Sequence, residues 1–243
     1  MTTTETGLSA ALNARIEGCG TETIVFGHGY GTDQSIWDEI LPLLSQNYRF
    51  VDDLITLLNE MGLKDVTFVG HSMSAIIGCI ASVKRPQLFK SLILLAASPR
   101  ILNADDYEGG FNSRDVEQLL WNIETNYENF ASTFSSIIAD PVNNLVVDKY
   151  EKCLKGMRAE VALSLAKTIF YSDWREIVDE VETPCTIIQT KKDVAVPHNV
   201  ALYMQSKIKG RVTLETIDTV GHFPQLSAPL EFVQVLKDAL HSS

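Results

Sequence analysis

The stretch Val66-Thr67-Phe68-Val69-Gly70-His71-Ser72-Met73-Ser74-Ala75 places the tightest constraint on what this chain can fold into. Strand-forming residues run into Gly-His-Ser, and a small-residue helix pattern follows from Ala75 through Ile76, Ile77, Gly78, Cys79, Ile80 and Ala81 to Ser82. A strand that turns sharply into a helix at a serine lifts the hydroxyl above the sheet edge, at the positive end of the helix dipole. That is how a weak nucleophile is presented to a carbonyl carbon. The G-x-S-x-G pattern of such elbows is met with one departure, because Ser74 stands where the second glycine belongs. A G-x-S turn beside a buried helix would carry the same letters, so the assignment rests on the rest of the chain.

A chain of 243 residues suits one domain with an inserted subdomain. Its net charge of −11 argues against a nucleic-acid partner and against an anionic membrane surface. The four cysteines, Cys19, Cys79, Cys153 and Cys185, lack metal-ligand spacing, and Cys79 and Cys185 sit in apolar runs that mark small core residues. Met1 to Thr6 is polar, with no apolar run of a secretory signal, and no apolar stretch is long enough to span a membrane. A reducing, cytoplasmic setting is expected, with the nucleus as a second compartment.

In chain order, Thr23–Phe26 reads as a short strand ending in Gly27-His28-Gly29-Tyr30-Gly31, a glycine-rich loop suited to bringing main-chain N–H groups close to a ligand. Ser35 then caps a helix to about Leu44, with Ile36, Trp37, Ile40, Leu41 and Leu44 on one stripe. Asn47–Val51 is the next strand, and a helical pattern begins at once at Asp52-Asp53, leaving no residues for the connection of roughly 2–6 that such units use. After the elbow, Ser91–Ala97 is a further strand. Strand and helix alternate through the first hundred residues, which predicts an α/β fold with a mostly parallel, doubly wound sheet.

From Asn103 the period changes. Roughly seventy residues carry helical spacing and no strand: one helix after Ser113 (Val116 to Tyr127), one near Phe130, one near Asn144 and one near Ala159. Such a block lies over one end of the sheet as a lid, so residues 103–172 are read as an insertion between core segments 1–102 and 173–243. Its aromatics, including Phe111, Phe134 and Phe170, are available to line a pocket. The sheet resumes at Thr186–Gln189 and Val212–Ile217, and Pro229–Leu240 closes the chain as an amphipathic helix.

A serine nucleophile needs a base, and the base needs an acid that fixes its tautomer. Of the five histidines, His28 and His71 flank glycines at strand ends, His198 follows Pro197 on a surface helix, and His241 lies in the tail. His222 remains, directly after the last strand in Val220-Gly221-His222-Phe223-Pro224. For the acid, Asp193 follows the strand Thr186–Gln189, whereas its competitor Asp218 stands only four positions before His222. Ser72, Asp193 and His222 follow the α/β-hydrolase chain order, each after its own strand. The N–H groups of Met73 and Tyr30 are the candidates for the oxyanion hole. The chemistry needs no metal, nucleotide or organic cofactor.

Gly27-His28-Gly29-Tyr30-Gly31-Thr32-Asp33-Gln34, Gly70-His71-Ser72-Met73-Ser74-Ala75, Ala97-Ser98-Pro99-Arg100 and Gly221-His222-Phe223-Pro224-Gln225-Leu226-Ser227 resemble one small α/β-hydrolase family. It contains the plant strigolactone and karrikin receptors, their receptor-like paralogues and the bacterial stress-signalling hydrolase RsbQ. The resemblance implies an α/β-hydrolase fold with a four-helix lid and makes Ser74 a family variant. It implies a triad of Ser72, Asp193 and His222 with Tyr30 and Met73 at the oxyanion hole. It also implies an apolar ligand pocket that His28, Tyr30, Phe134 and Phe170 face. Its functional implication is slow hydrolysis or sensing of a small apolar butenolide, lactone or ester, with lid movement that recruits signalling proteins to a monomer. The Asn-Ala-Asp-Asp-Tyr stretch points to a plant receptor-like member.

The chain departs from that family at Val51–Asp52, where members carry a few dozen further residues at a strand end, a pocket-mouth loop and a helix start. No triad residue lies in the missing piece, but loss of its buried contacts predicts a destabilised protein with an opened pocket. A non-catalytic or truncated ligand-binding protein is therefore the alternative to a slow esterase, and haloperoxidase or acyl-transfer chemistry would use the same three residues.

Overall fold

The apolar runs bounded by turn signals form strands, each parallel to its neighbours. The structure, a computed structural model, describes residues 22–40, 48–50 and 54–242. Six strands are described: β1 (Glu22–Gly27), β2 (Tyr48–Phe50), β3 (Val66–His71), β4 (Phe89–Leu95), β5 (Cys185–Lys192) and β6 (Val212–Val220). They lie in the order β2-β1-β3-β4-β5-β6. Gly27 pairs with Gly70, and His71 pairs with Leu95, so the chain leaves β1, β3 and β4 at one carboxyl edge. β3 is buried along its whole length, which is why it reads as a continuous run rather than an alternating one.

The described helices are α1 (Ile55–Glu60), α2 (Met73–Lys84), α3 (Ser113–Thr125), α4 (Tyr127–Ile138), α5 (Asn144–Gly156), α6 (Ala159–Tyr171), α7 (Arg175–Val178), α8 (His198–Lys207), α9 (Pro224–Ser227) and α10 (Pro229–Ser242). Leu57, Leu58, Ile76, Cys79 and Met204 of α1, α2 and α8 are buried in one core cluster. Ile36, Trp37, Phe232 and Leu236 belong to a second, with Val69 and Ile93 of the central strands. None of these helices is long and apolar enough to cross a membrane.

Helices α3 to α6 form the insertion, and their apolar stripes pack mainly on one another. Val116, Ile123, Phe130, Ala162 and Ala166 make one cluster, and Ala131, Ile138, Val146 and Leu154 make another that reaches Phe223 of the core. The chain's two crossings into the insertion are tied side by side. Arg100 pairs with Asp173 through both backbone and side chain, and the Trp174 amide donates to the Pro99 carbonyl at 2.8 Å. The Arg175 guanidinium, 2.9 Å from the same carboxylate, is the main reason the Asp173 pKa falls to about 2, with Arg100 contributing.

Four local expectations are corrected. The residues after Gln34 make one 3-10 turn, Gln34–Trp37, in place of the start of a helix, and its cap is Asp33, whose carboxylate accepts from the Ser35 amide at 2.8 Å. Leu41, Leu44 and the Val51–Asp52 junction lie outside the described residues. Tyr127 opens α4 instead of closing α3, because Asn126 breaks the helix and its side chain caps the next. β5 and β6 run further than read, to Lys192 and Val220, and His241 is helical, within α10.

Candidate active site

The elbow takes the form that its sequence implies. Ser72 has φ +57° and ψ −117°, a region that L-residues rarely occupy, while its amide donates to the Leu95 carbonyl at 2.8 Å. Only glycine fits at position 70, where a Cβ would lie 2.5 Å from the Ala75 backbone. The unusual Ser74 is accommodated from outside the motif. A Cβ on Gly27, at the end of β1, would stand 2.9 Å from the Ser74 Cβ. The glycine missing from the elbow is thus supplied across the sheet, and Ser74 Oγ donates to the His71 carbonyl at 3.0 Å.

Asp193 directly follows β5. Its Oδ1 accepts from the amides of Ala195 at 2.8 Å and Val196 at 3.1 Å, which leaves Oδ2 for Nδ1 of His222 at 2.7 Å. The Asp193 side chain has no solvent exposure and that of His222 has 8%. An Nδ1–H donated to this carboxylate leaves Nε2 of His222 as a free base. The His222 backbone is held from three sides: its amide donates to the Ile138 carbonyl at 2.9 Å, its carbonyl lies 2.8 Å from His71 Nε2, and Thr190 Oγ1 holds the preceding Gly221 carbonyl at 2.9 Å. Asp218 goes elsewhere, into an exposed ion pair with Lys191 at 3.1 Å.

Ser72 and His222 line the same apolar cavity of about 50 Å³, beneath the insertion. Tyr30, Phe134 and Phe170 line it as well. His28 does not: its ring stays with its own loop, 3.2 Å from the Gly29 carbonyl and 3.5 Å from Thr32 Oγ1. Met73 lines a neighbouring cavity of about 170 Å³ that also touches Ser72. Among the described residues no hydrogen bond joins Ser72 to His222, and such contacts often tighten only when substrate binds.

Several contacts around the site had no signal in the sequence. Aromatic rings run from the insertion to the base: Phe130 on Phe134 at 5.0 Å, Phe134 to Tyr150 at 6.3 Å, Tyr150 on Phe223 at 4.6 Å, and Phe223 and His222 against His71 at 5.2 and 4.9 Å. Tyr30 spans core and lid, its hydroxyl donating to the Ala162 carbonyl of α6 at 3.2 Å. Burial raises the pKa of both Tyr30 and Tyr150, so both stay neutral donors. Burial likewise depresses the pKa of His71, with the neighbouring His222 adding to the effect, so this imidazole is neutral.

A parallel sheet with a strained serine after β3 and a buried Asp–His pair after β5 and β6 is the architecture of an α/β-hydrolase, and a family model of that description matches residues 23–229. Strigolactone esterase D14 of Arabidopsis thaliana is 39% identical, with 95% of this chain and 96% of its own covered. Karrikin insensitive 2 receptor IA of Petunia hybrida is 38% identical over 94% of each chain. Among solved structures, a hydrolase from Oleispira antarctica aligns with a TM-score of 0.90 at 25% identity, over 95% of both chains. The chain belongs to the α/β-hydrolase family of the strigolactone and karrikin receptors. The alignment with the Arabidopsis protein spans 257 positions, whereas 95% of 243 residues is about 231, so about 26 of its positions have no counterpart here.

Proposed function

We propose that this chain is a cofactor-independent serine hydrolase that cleaves, slowly, and senses a small apolar butenolide-type lactone or ester, linked to hormone-like signalling through its lid. The observation that carries the reading is the buried Asp193–His222 pair, closed at 2.7 Å, lining the same cavity as the strained Ser72. Ser72 Oγ attacks the carbonyl carbon while Nε2 of His222 takes its proton, and Asp193 holds the imidazole and stabilises its charged form. Met73 opens α2, so its N–H has no intrahelical acceptor, and with the N–H of Tyr30 it receives the developing oxyanion. Donors of this kind contribute about 3–4 kcal/mol each. His222 then returns the proton to the leaving oxygen, and water releases the acyl group by the reverse sequence.

The names of the relatives, a strigolactone esterase and a karrikin receptor, favour a lactone over an open-chain lipid ester. The apolar cavity wall, with Phe134 and Phe170 of the insertion, suits such a ligand and couples its presence to the lid. Signalling proteins then read the lid's position, with the chain acting as a monomer. The test is turnover of a fluorogenic butenolide by the wild type and by Ser72→Ala. The reading expects slow release by the wild type and none by the variant, with ligand binding by calorimetry retained in Ser72→Ala. Equal release by both proteins would contradict it.

A further inference from the structure

Among the described residues Ser72 borders two cavities, and only one of them is lined by His222. The smaller, about 50 Å³, is lined by His222. The larger, about 170 Å³, shares Ser72, Ile101 and Ile169 with the first but is not lined by His222; its own wall includes Met73, Ile76, Ile77 and Ile80 of α2, and Trp174. We infer that this second cavity is the acyl-chain subsite of the enzyme, and that its substrates carry an alkyl group on the acyl side of the scissile bond.

The inference rests on Ser72 being the nucleophile, as proposed above. When Ser72 Oγ bonds to the carbonyl carbon and the bond to the leaving oxygen breaks, the proton taken from Ser72 passes through His222 to that oxygen. The base must therefore reach the leaving oxygen within about 3 Å, which puts the alcohol portion in the cavity that His222 lines. The carbonyl oxygen faces the main-chain donors. The remaining substituent, the acyl chain, is left with the other cavity that touches Ser72. In the second half-reaction water bonds to the same carbon, its proton passes to His222, and the acid leaves as Ser72 recovers its own.

The wall chemistry says what kind of chain fits. No residue lining the second cavity is charged. Apart from that of Ser72, its three hydroxyl side chains already donate to backbone carbonyls: Ser98 to Arg100 at 2.7 Å, Thr168 to Ser164 at 3.1 Å, and Ser172 to Thr168. That leaves an aliphatic surface that rewards alkyl groups. Ile77 and Trp174 are 41% and 40% exposed, so an apolar occupant would cover side chains that water now touches. Each methylene so buried favours the transition state by about fourfold. A lactone meets the same demand when its alkyl substituent is carried beside the carbonyl.

Ethyl hexanoate and hexyl acetate are isomers of equal size that differ in which side of the carbonyl carries the chain. Hydrolysis of each by the wild type, followed in a pH-stat, is expected to favour ethyl hexanoate at least tenfold in kcat/KM. Ile77→Trp, which fills the cavity from a half-exposed helix position, is expected to erase that preference. Trp174→Ala, which widens the wall, should shift the optimum toward ethyl octanoate. Equal rates for the isomers, preference for hexyl acetate, or a preference indifferent to both substitutions would overturn the acyl subsite while leaving the hydrolase reading intact. Cleavage of neither isomer, with no labelling of Ser72 by a phosphonate, would remove both.

Discussion

The ring of His71 reaches past the elbow and places Nε2 2.8 Å from the carbonyl oxygen of His222. Donation to a carbonyl puts the proton on Nε2, and the buried Nδ1 has no partner among the described residues. The residue before Ser72 thus anchors the backbone of His222. The two loops that carry Ser72 and His222 are joined even though these residues share no hydrogen bond.

The burial of His71 gives the protein a pH dependence of known sign. The unfolded chain takes a proton at His71 below its ordinary pKa of 6.5, while burial first, and His222 second, keep the folded ring neutral to well below that value. Stability is therefore complete above pH 6.5 and is lost as pH falls toward the folded pKa, with a limiting slope of about 1.4 kcal/mol per pH unit for this one proton. His71→Phe keeps the ring packing but removes donor and titration together. It is expected to melt lower at pH 7.5, by the equivalent of about 1–3 kcal/mol for the unpaired His222 carbonyl, and to lose less between pH 6.5 and 5 than the wild type. Parallel melting curves against pH would contradict the assignment.

The pairing of Gly27 with Ser74 makes a second prediction. Gly27→Ala sets two Cβ atoms 2.9 Å apart and is expected to destabilise by about 1–3 kcal/mol. Ser74→Gly removes one of them, so the double variant should recover part of the loss, the remainder reflecting Phe68, whose ring lies 3.0 Å from the same position. Denaturant titration of the four proteins measures the coupling. Strict additivity would mean that the two sites do not compensate.

Much of the fold was legible because its signals are local. The β3 run, the helical block after Asn103 and the meeting of Asp193 with His222 all appear in the structure, since burial on both faces, helical stripes and strand ends write themselves into neighbouring residues. The start of the helix expected from Ser35 is a 3-10 turn, because Asp33 captures the Ser35 amide and tightens it, a competition that periodicity does not register. The family resemblance sets His28 in the pocket, whereas its ring contacts its own loop. The contacts of Phe223 with Tyr150 and His71, and the Ile138 carbonyl behind His222, join residues more than fifty positions apart, which no local pattern encodes.

The region of β2 and α1 beside β1 is expected to limit stability. Among the described residues β2 pairs with β1 from Glu22 to Ile24, whereas β1 continues to Gly27 and pairs with β3 as far as that residue. α1 is six residues long and buries only Leu57 and Leu58. Inserting the corresponding segment of the Arabidopsis relative between Val51 and Asp52 should restore several buried apolar contacts at roughly 2–5 kcal/mol each. At about 2–4 °C per kcal/mol for a chain of this size, the melting temperature should rise by roughly 10 °C or more. An unchanged transition would show that the short form is already a complete fold.

The central claim is that Ser72 is a nucleophile activated by His222 and oriented by Asp193, and covalent labelling tests it most directly. The measurement is the rate at which a serine-directed fluorophosphonate modifies the wild-type protein, with the adduct located by peptide mass spectrometry. The account predicts a single adduct on Ser72, none on the Ser72→Ala protein, and a rate reduced by about three to four orders of magnitude in Asp193→Asn, where the imidazole loses its orienting carboxylate. A folded wild-type protein that stays unlabelled, or one labelled at another serine, would contradict it.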